Sequence, residues 1–311
     1  MTGVQTCALP IYQRWRLTGT FAGRNLDIAQ RQSGVELGRF AWPDPGATGP
    51  LDIDDLLAHD IDLRLSLQRV RLAGLTLNDV AAQIVTSENR LDVSLPNAGL
   101  YRGTLRGRAS LARTPAGIEL RTQAIAERVE LGALSADLFE GRYITGIGSG
   151  QQQLAASGRS MAELLASSEG RISLTARDGD MMGTNLNDAM RRIERQPLSA
   201  ARDWRGGRTN FEQLTLQGPI AGGVWDFSEF SAAGPHFRLT AEGQLSLINR
   251  QIKVDGRVAP VRGTMTLPFD ITGAVSDPTV QVNARALLNR TLQDRGLPER
   301  ALPDRSRGAV P

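Results

Sequence analysis

Two groups of residues carry functional groups that could bind a phosphate or hold a cation. Residues 146–150 (GIGSG) have the glycine content of a phosphate loop, but the residues after them read as a strand, whereas such a loop must open a helix. Asp52, Asp54 and Asp55 form an acidic cluster. A calcium loop with their spacing needs an oxygen ligand at position 56 and a glycine at 57, and both positions are leucine. The sequence therefore predicts neither a phosphate loop nor a calcium site.

Residues for proton transfer or metal binding are equally sparse. His59 beside Asp60 could form a relay, but no spacing ties a nucleophile to a base. The sequence has two histidines, His59 and His236, and one cysteine, Cys7, which excludes an internal disulfide and a site built from several histidines. We therefore predict a protein that is not an enzyme, with no metal site and no cofactor.

Composition excludes several other classes. The chain has 311 residues, 41% of them hydrophobic and 5% aromatic, with 33 glycines and a net charge of +3. Lys253 is its single lysine, so nearly all of the positive charge is arginine, as GC-rich codon usage produces. No run of basic residues is interleaved with aromatic residues. Nucleic acid is therefore not an expected partner. No stretch reaches the roughly 18 apolar residues that a membrane-spanning helix needs.

The first eleven residues, Met1–Ile11, read as the in-frame translation of a short-read sequencing adapter. We expect them to be an artefact, so that the natural sequence begins at Tyr12 and lacks its upstream part. Cys7 is then not native, and a chain without thiols suits an oxidising compartment outside the cytoplasm.

Alternation of apolar and polar residues dominates the rest of the chain, which is the pattern of strands with one buried face. It is clearest at Ile61, Leu63, Leu65 and Leu67. The same pattern recurs in three further places: Leu91/Val93/Leu95, Phe237/Leu239/Ala241 and Leu245/Leu247. Short turns separate the runs, so the sequence predicts a mainly β fold, a long antiparallel meander of about a dozen strands at typical lengths.

Helical patterns are few and short. Ser160 and Glu163 form a capping box that opens a helix at residue 161. Four further helices are expected near residues 51–59, 131–138, 185–195 and 282–294. We divide the chain into a β/loop lead-in over residues 12–59, one β-rich domain over residues 60–294, and a loose polar tail over residues 295–311.

In this order the segments resemble the C-terminal region of the AsmA-like family of bacterial envelope proteins. Asp60–Val93 is similar to the family's double strand, turn and third strand, and Gly99–Leu111 to its small-residue segment. Gly148–Leu186 follows its most characteristic stretch, a strand, a Ser-capped helix and a Gly-opened strand. Thr209-Asn210-Phe211 fits the T-x-F entry to the last sheet, and Leu267–Asn283 its closing strands.

The resemblance implies a protein anchored in the inner membrane by an N-terminal helix, with its bulk in the periplasm and a role in outer-membrane biogenesis. Because the wider group is related to bridge-like lipid-transfer proteins, it implies a long curved sheet, an open trough shaped like a half barrel, that binds or conducts phospholipid.

An acyl chain could lie along the apolar face of such a sheet, since each buried CH₂ contributes roughly 0.8 kcal/mol. The candidate residues for this lipid groove are Ile61, Leu63, Leu65, Leu67, Phe237, Leu239, Leu245 and Leu247. Patterning alone does not separate an open groove from a sandwich core closed on itself, so that alternative stands beside the groove.

Two other functions remain open. The protein could be a scaffold that binds outer-membrane assembly proteins and carries no lipid, or a surface-exposed β-rich passenger. Adducts to lipid or to protein from a crosslinker at Leu65 would separate the groove from the scaffold.

Overall fold

The computed structural model describes residues 15–28, 49, 51, 53–72, 74–139, 142–192, 205–263, 266–275 and 277–282. Within these ranges the chain forms one sheet of fourteen strands that lie side by side in sequence order. The strands are β1 (Arg16–Ile28), β2 (Asp60–Leu72), β3 (Leu75–Ser87), β4 (Arg90–Leu100), β5 (Gly103–Thr114), β6 (Gly117–Glu130), β7 (Ile147–Gly158), β8 (Glu169–Thr184), β9 (Arg205–Ala221), β10 (Val224–Ala233), β11 (Phe237–Ser246), β12 (Gln251–Pro260), β13 (Leu267–Ala274) and β14 (Asp277–Val282).

Every neighbouring pair from β2 to β14 is antiparallel, which confirms the predicted meander. The pair β1–β2 is the exception, since Arg16 lies beside Asp60 in a parallel ladder that runs to Ile28 and Leu72. A parallel pair needs a crossover longer than a hairpin. The chain between Ile28 and Asp60 provides that length.

Because β1 and β14 stand at opposite ends of the strand order, the sheet is open and curved. Irregularities in strand pairing explain the curvature. Asp79, Arg128 and Gly183 have positive φ and coincide with register shifts of β3, β6 and β8. A β-bulge bends its strand and increases the local twist, so bulges in several strands curve the whole sheet.

Four short helices accompany the sheet. They are α1 (Asp54–Leu57), α2 (Leu131–Phe139), α3 (Met161–Ala166) and α4 (Leu186–Arg192). All four were predicted as helical, with α2 ending at Phe139, one residue beyond its predicted range. In the predicted helix over 282–294, Val282 is the last residue of β14, and residues 283–294 lie outside the described residues, as do residues 1–11 and 295–311.

The capping box at α3 forms with one difference from the expected geometry. Ser160 Oγ accepts the Glu163 backbone N–H at 3.2 Å, whereas Glu163 Oε2 accepts the N–H of Arg159 at 2.7 Å, one residue before the cap. Two free donors at the helix start are thereby satisfied. Leu164 and Leu165 of this helix are buried.

Candidate functional site

The sheet has one apolar and one polar face. Ladder partners in an antiparallel sheet share a face, and Leu63 pairs with Ile84 and Leu65 with Ala82. We call this side the apolar face. Ladder pairing extends the apolar face across the sheet, through Leu95, Gly107 and Ala124 to Ile172 on β8. Arginine, aspartate, glutamine and serine dominate the opposite, polar face.

The helices cover the two ends of the strands on the apolar face. At one end, Ile53 and Leu57 around α1 pack on Ile118, and α3 lies so close to β7 that a Cβ added at Gly158 would stand 2.6 Å from the Cβ of Glu163. At the other end, Leu134 of α2 packs on the cluster around Val70, Leu77 and Leu100. The α4 side chains Leu186, Ala189 and Met190 pack against Phe211 and Phe237 at that same end.

Between these two rows of helices, the middle of the apolar face over β2–β8 is only half-buried. We call it the central band. Its residues are Leu63, Leu65, Ala82, Ile84, Val93, Leu95, Gly107, Ala109, Thr122, Ala124, Gln152, Leu154, Ile172 and Leu174. Leu174 on β8 is 40% exposed. With a strand spacing of about 4.8 Å, the band is about 30 Å long.

Small residues form the middle of the central band. Gly107, Ala109 and Ala124 occupy three of its four positions on β5 and β6, the fourth being Thr122. A Cβ added at Gly107 would lie 2.8 Å from the carbonyl oxygen of Gln123, so the strand pairing itself requires glycine there. The small residues leave the middle of the band without bulky side chains.

One polar pair lies within the band. Gln152 Nε2 donates to Thr122 Oγ1 at 3.2 Å, across β6 and β7. Because the two side chains satisfy each other, they lower the cost of burying polar atoms under an apolar ligand.

The β2 members of the predicted groove are divided between two environments. Ile61, Leu63 and Leu65 are half-buried on the apolar face. Leu67 is 3% exposed and lies within the core cluster beneath α2. Leu63 and Leu65 therefore belong to the central band, while Leu67 supports one wall of it.

The β11 members lie nine strands away, on the same face but in a filled core. Phe237, Leu239 and Leu245 are buried, and Leu247 packs against their cluster from the turn after β11. The structure therefore does not bring the eight residues together at one place. Their role in lipid binding stays a prediction.

A contact that the sequence did not reveal fastens α2 over the trough. Tyr101 and Arg102 form the two-residue turn between β4 and β5, both with positive φ. The Tyr101 hydroxyl donates to Asp137 Oδ2 at 2.6 Å and accepts the Thr76 N–H at 3.4 Å. Burial, followed by the hydrogen bond to Asp137, raises the pKa of Tyr101 to about 12. The phenol is thus held protonated, as its donor role requires.

A second feature that sequence reasoning missed lies on the polar face. Glu242, Asp255 and Asp270 stand in one ladder across β11, β12 and β13. Desolvation and then the hydrogen bond and charge of Asp255 raise the pKa of the Asp270 carboxyl. Among the described residues, no group of three His, Cys, Asp or Glu side chains has the geometry to hold a metal ion.

The glycine-rich segment, the acidic cluster, His59 and the T-x-F segment have structural roles. Residues 151–158 form a strand, as predicted, and this strand, β7, begins earlier than expected, at Ile147; Asp54 at the start of α1 pairs with Arg113. The His59 ring stacks on Trp15 with a centroid distance of 4.0 Å. The side chain of Thr209, the first residue of T-x-F, accepts the Leu186 N–H at 3.0 Å and so connects β9 to α4.

Among the described residues, the sheet is open and curved, and helices cover its apolar face only near the two ends of the strands, which defines a β-trough protein. The model of the AsmA family matches residues 27–229, from the end of β1 into β10. The chain belongs to the AsmA family, as the segment order indicated. No curated protein and no solved structure shows a significant match. In the part of the chain that the structure describes, no helix has the length and apolarity to cross a membrane.

Proposed function

We propose that this chain is the periplasmic part of an envelope-biogenesis protein, anchored in the inner membrane, that holds phospholipid acyl chains along the central band without catalysis. The observation that carries the proposal is the half-buried apolar band between two rows of helices. An apolar sheet face must be covered by helices, a second sheet or a ligand. Here the four described helices cover the face only near the two ends of the strands.

The band suits acyl chains better than it suits a polar ligand. Its residues are apolar except for Thr122 and Gln152, which bond to each other. It offers no charged side chain to a headgroup, so it would hold the tails and leave the headgroup at the mouth of the trough. Family membership is consistent with a role in envelope biogenesis and lipid transport.

Lipid extraction tests this proposal. The full chain is purified in mild detergent from a bacterial host, and bound lipid is extracted and identified by mass spectrometry. We expect phospholipid at a defined molar ratio to the folded chain. Folded protein that carries none after detergent exchange, and takes none from phospholipid vesicles, would overturn the proposal and favour the scaffold alternative.

A further inference from the structure

The apolar face changes character between β8 and β9. Strands β2–β8 contain no aromatic residue. Strands β9–β13 place six aromatic side chains on the apolar face. They are Phe211, Trp225, Phe227, Phe230, Phe237 and Phe269. We call this set the aromatic block.

Burial also increases from β8 toward β11, since Ala176 on β8 is already 4% exposed while Leu216, the β9 partner of Leu174, is half-buried. Phe211 and Phe237 are 0% exposed, whereas Leu174, one strand before β9, is 40% exposed. All of the aromatic block except the half-buried Phe230 shares one buried cluster with α4, and Leu154 and Ile172, at the β7–β8 edge of the central band, pack against that cluster. Aromatic side chains are large, and a close-packed interior has few voids bigger than a water molecule. The protein's own side chains therefore occupy the trough over β9–β13.

We infer that the acyl-binding part of the trough is confined to β2–β8 and is blind at its β9 end, where the aromatic block closes it. This inference rests on the function proposed above and adds where along the sheet the lipid-binding site ends. The chain holds a lipid on one stretch of the sheet and does not conduct it across all fourteen strands.

The length of the open part fits the proposed occupant. The central band is about 30 Å long, similar to the hydrocarbon thickness of a bilayer, which two leaflets of acyl chains fill. Two acyl chains end to end, or a pair side by side with space remaining, can therefore lie between β2 and β8.

Mapping with a photoreactive phospholipid tests the inference on the unmodified chain. The probe is phosphatidylcholine with a diazirine on its acyl chain, delivered from vesicles, and adducts are located by peptide mass spectrometry. We expect adducts on peptides of β2–β8 to exceed those of β9–β13 several-fold. Equal labelling of both stretches would overturn the blind end but leave lipid binding standing. No adduct on the apolar face of folded protein would overturn both.

A second measurement does not depend on the reactivity of buried side chains. Three single-tryptophan chains are made by replacing the other tryptophans with phenylalanine: Leu174→Trp on β8, the native Trp225 on β10, and Ile271→Trp on β13. Leu174 is exposed and Ile271 half-buried, so both positions tolerate a larger side chain better than the core does. Phosphatidylcholine brominated on its acyl chains should quench the fluorescence at position 174 several-fold more than at 271. Equal quenching would contradict the blind end.

Discussion

The Tyr101 hydroxyl lies 2.6 Å from Asp137 Oδ2, and this hydrogen bond joins the β4–β5 turn to α2. The carbonyl oxygen of Tyr101 also accepts the N–H of Glu130, the residue just before α2, at 2.9 Å. One residue therefore fastens the helix that forms a wall of the trough at both its start and its last turn.

Removing the Tyr101 hydroxyl should destabilise the protein without unfolding it. Tyr101→Phe keeps the ring and loses the bonds to Asp137 and Thr76, at a cost of about 1 kcal/mol. Urea denaturation measures the difference in free energy of unfolding.

The pH dependence of the same variant provides a further check. Because the folded pKa of Tyr101 is raised to about 12 from 10.0, its contribution is complete below pH 10 and is lost as pH rises through the folded value. The wild type should lose more stability than Tyr101→Phe between these values. Parallel pH profiles would show that the hydroxyl does not hold α2.

Filling the middle of the central band should reduce lipid binding. Ala124→Trp places a large ring on the apolar face, where an acyl chain would lie. Gln123→Trp, one residue earlier, places the same ring on the polar face and serves as the control. We expect the lipid that copurifies with the first variant to fall several-fold and that of the control to match the wild type. Equal lipid content in both folded variants would contradict the location of the site.

The carboxylate pair Asp255 and Asp270 should make stability fall as pH rises through mildly acidic values. A raised carboxyl pKa means that the folded state favours the protonated form, so this contribution is present below the ordinary value of 3.8 and is lost as pH rises through the folded value. Asp270→Asn removes the repulsion and should raise stability at neutral pH by up to about 0.5 kcal/mol. Thermal unfolding at pH 4 and pH 7, each value compared with the wild type, is the measurement; a variant less stable at pH 7 would refute the repulsion.

The capping box should stabilise α3 measurably. Ser160→Ala removes the acceptor for the Glu163 N–H and should cost about 1 kcal/mol. Ser66→Ala, at an exposed strand position, is the control and should change the free energy of unfolding little. Chemical denaturation measures the free energy of unfolding of both variants. Equal effects would mean that the cap contributes nothing.

Local patterns predicted most of the elements. Alternation located β2, β4 and β11, and the Ser160 box located α3. The period of two fails within β2, where the next buried residue after Leu67 is Val70, opposite Leu77, although the pairing of β2 with β3 keeps its register. Such a change in spacing depends on what packs against the strand, so one strand read alone does not reveal it. The parallel entry of β1 likewise depends on a distant partner.

The sequence predicted which face of the sheet carries the candidate site, but not how far along the sheet the site extends. Alternation placed Leu65 and Leu239 on one apolar face, yet it does not report how tightly each is covered. A readable signal was present in the six aromatic residues between 211 and 269 and the glycine and alanine of β5 and β6. The bond between Tyr101 and Asp137 joins residues far apart in sequence, and no local pattern marks it.

Crosslinking from two adjacent positions of β2 tests the central claim most directly. A photoreactive amino acid replaces Leu65, on the apolar face, in one chain and Ser66, on the polar face, in another, and both are irradiated in the presence of phospholipid vesicles. We expect phospholipid adducts from position 65 and none from position 66. Protein adducts alone from position 65, or equal lipid labelling from both positions of a folded chain, would contradict the central claim.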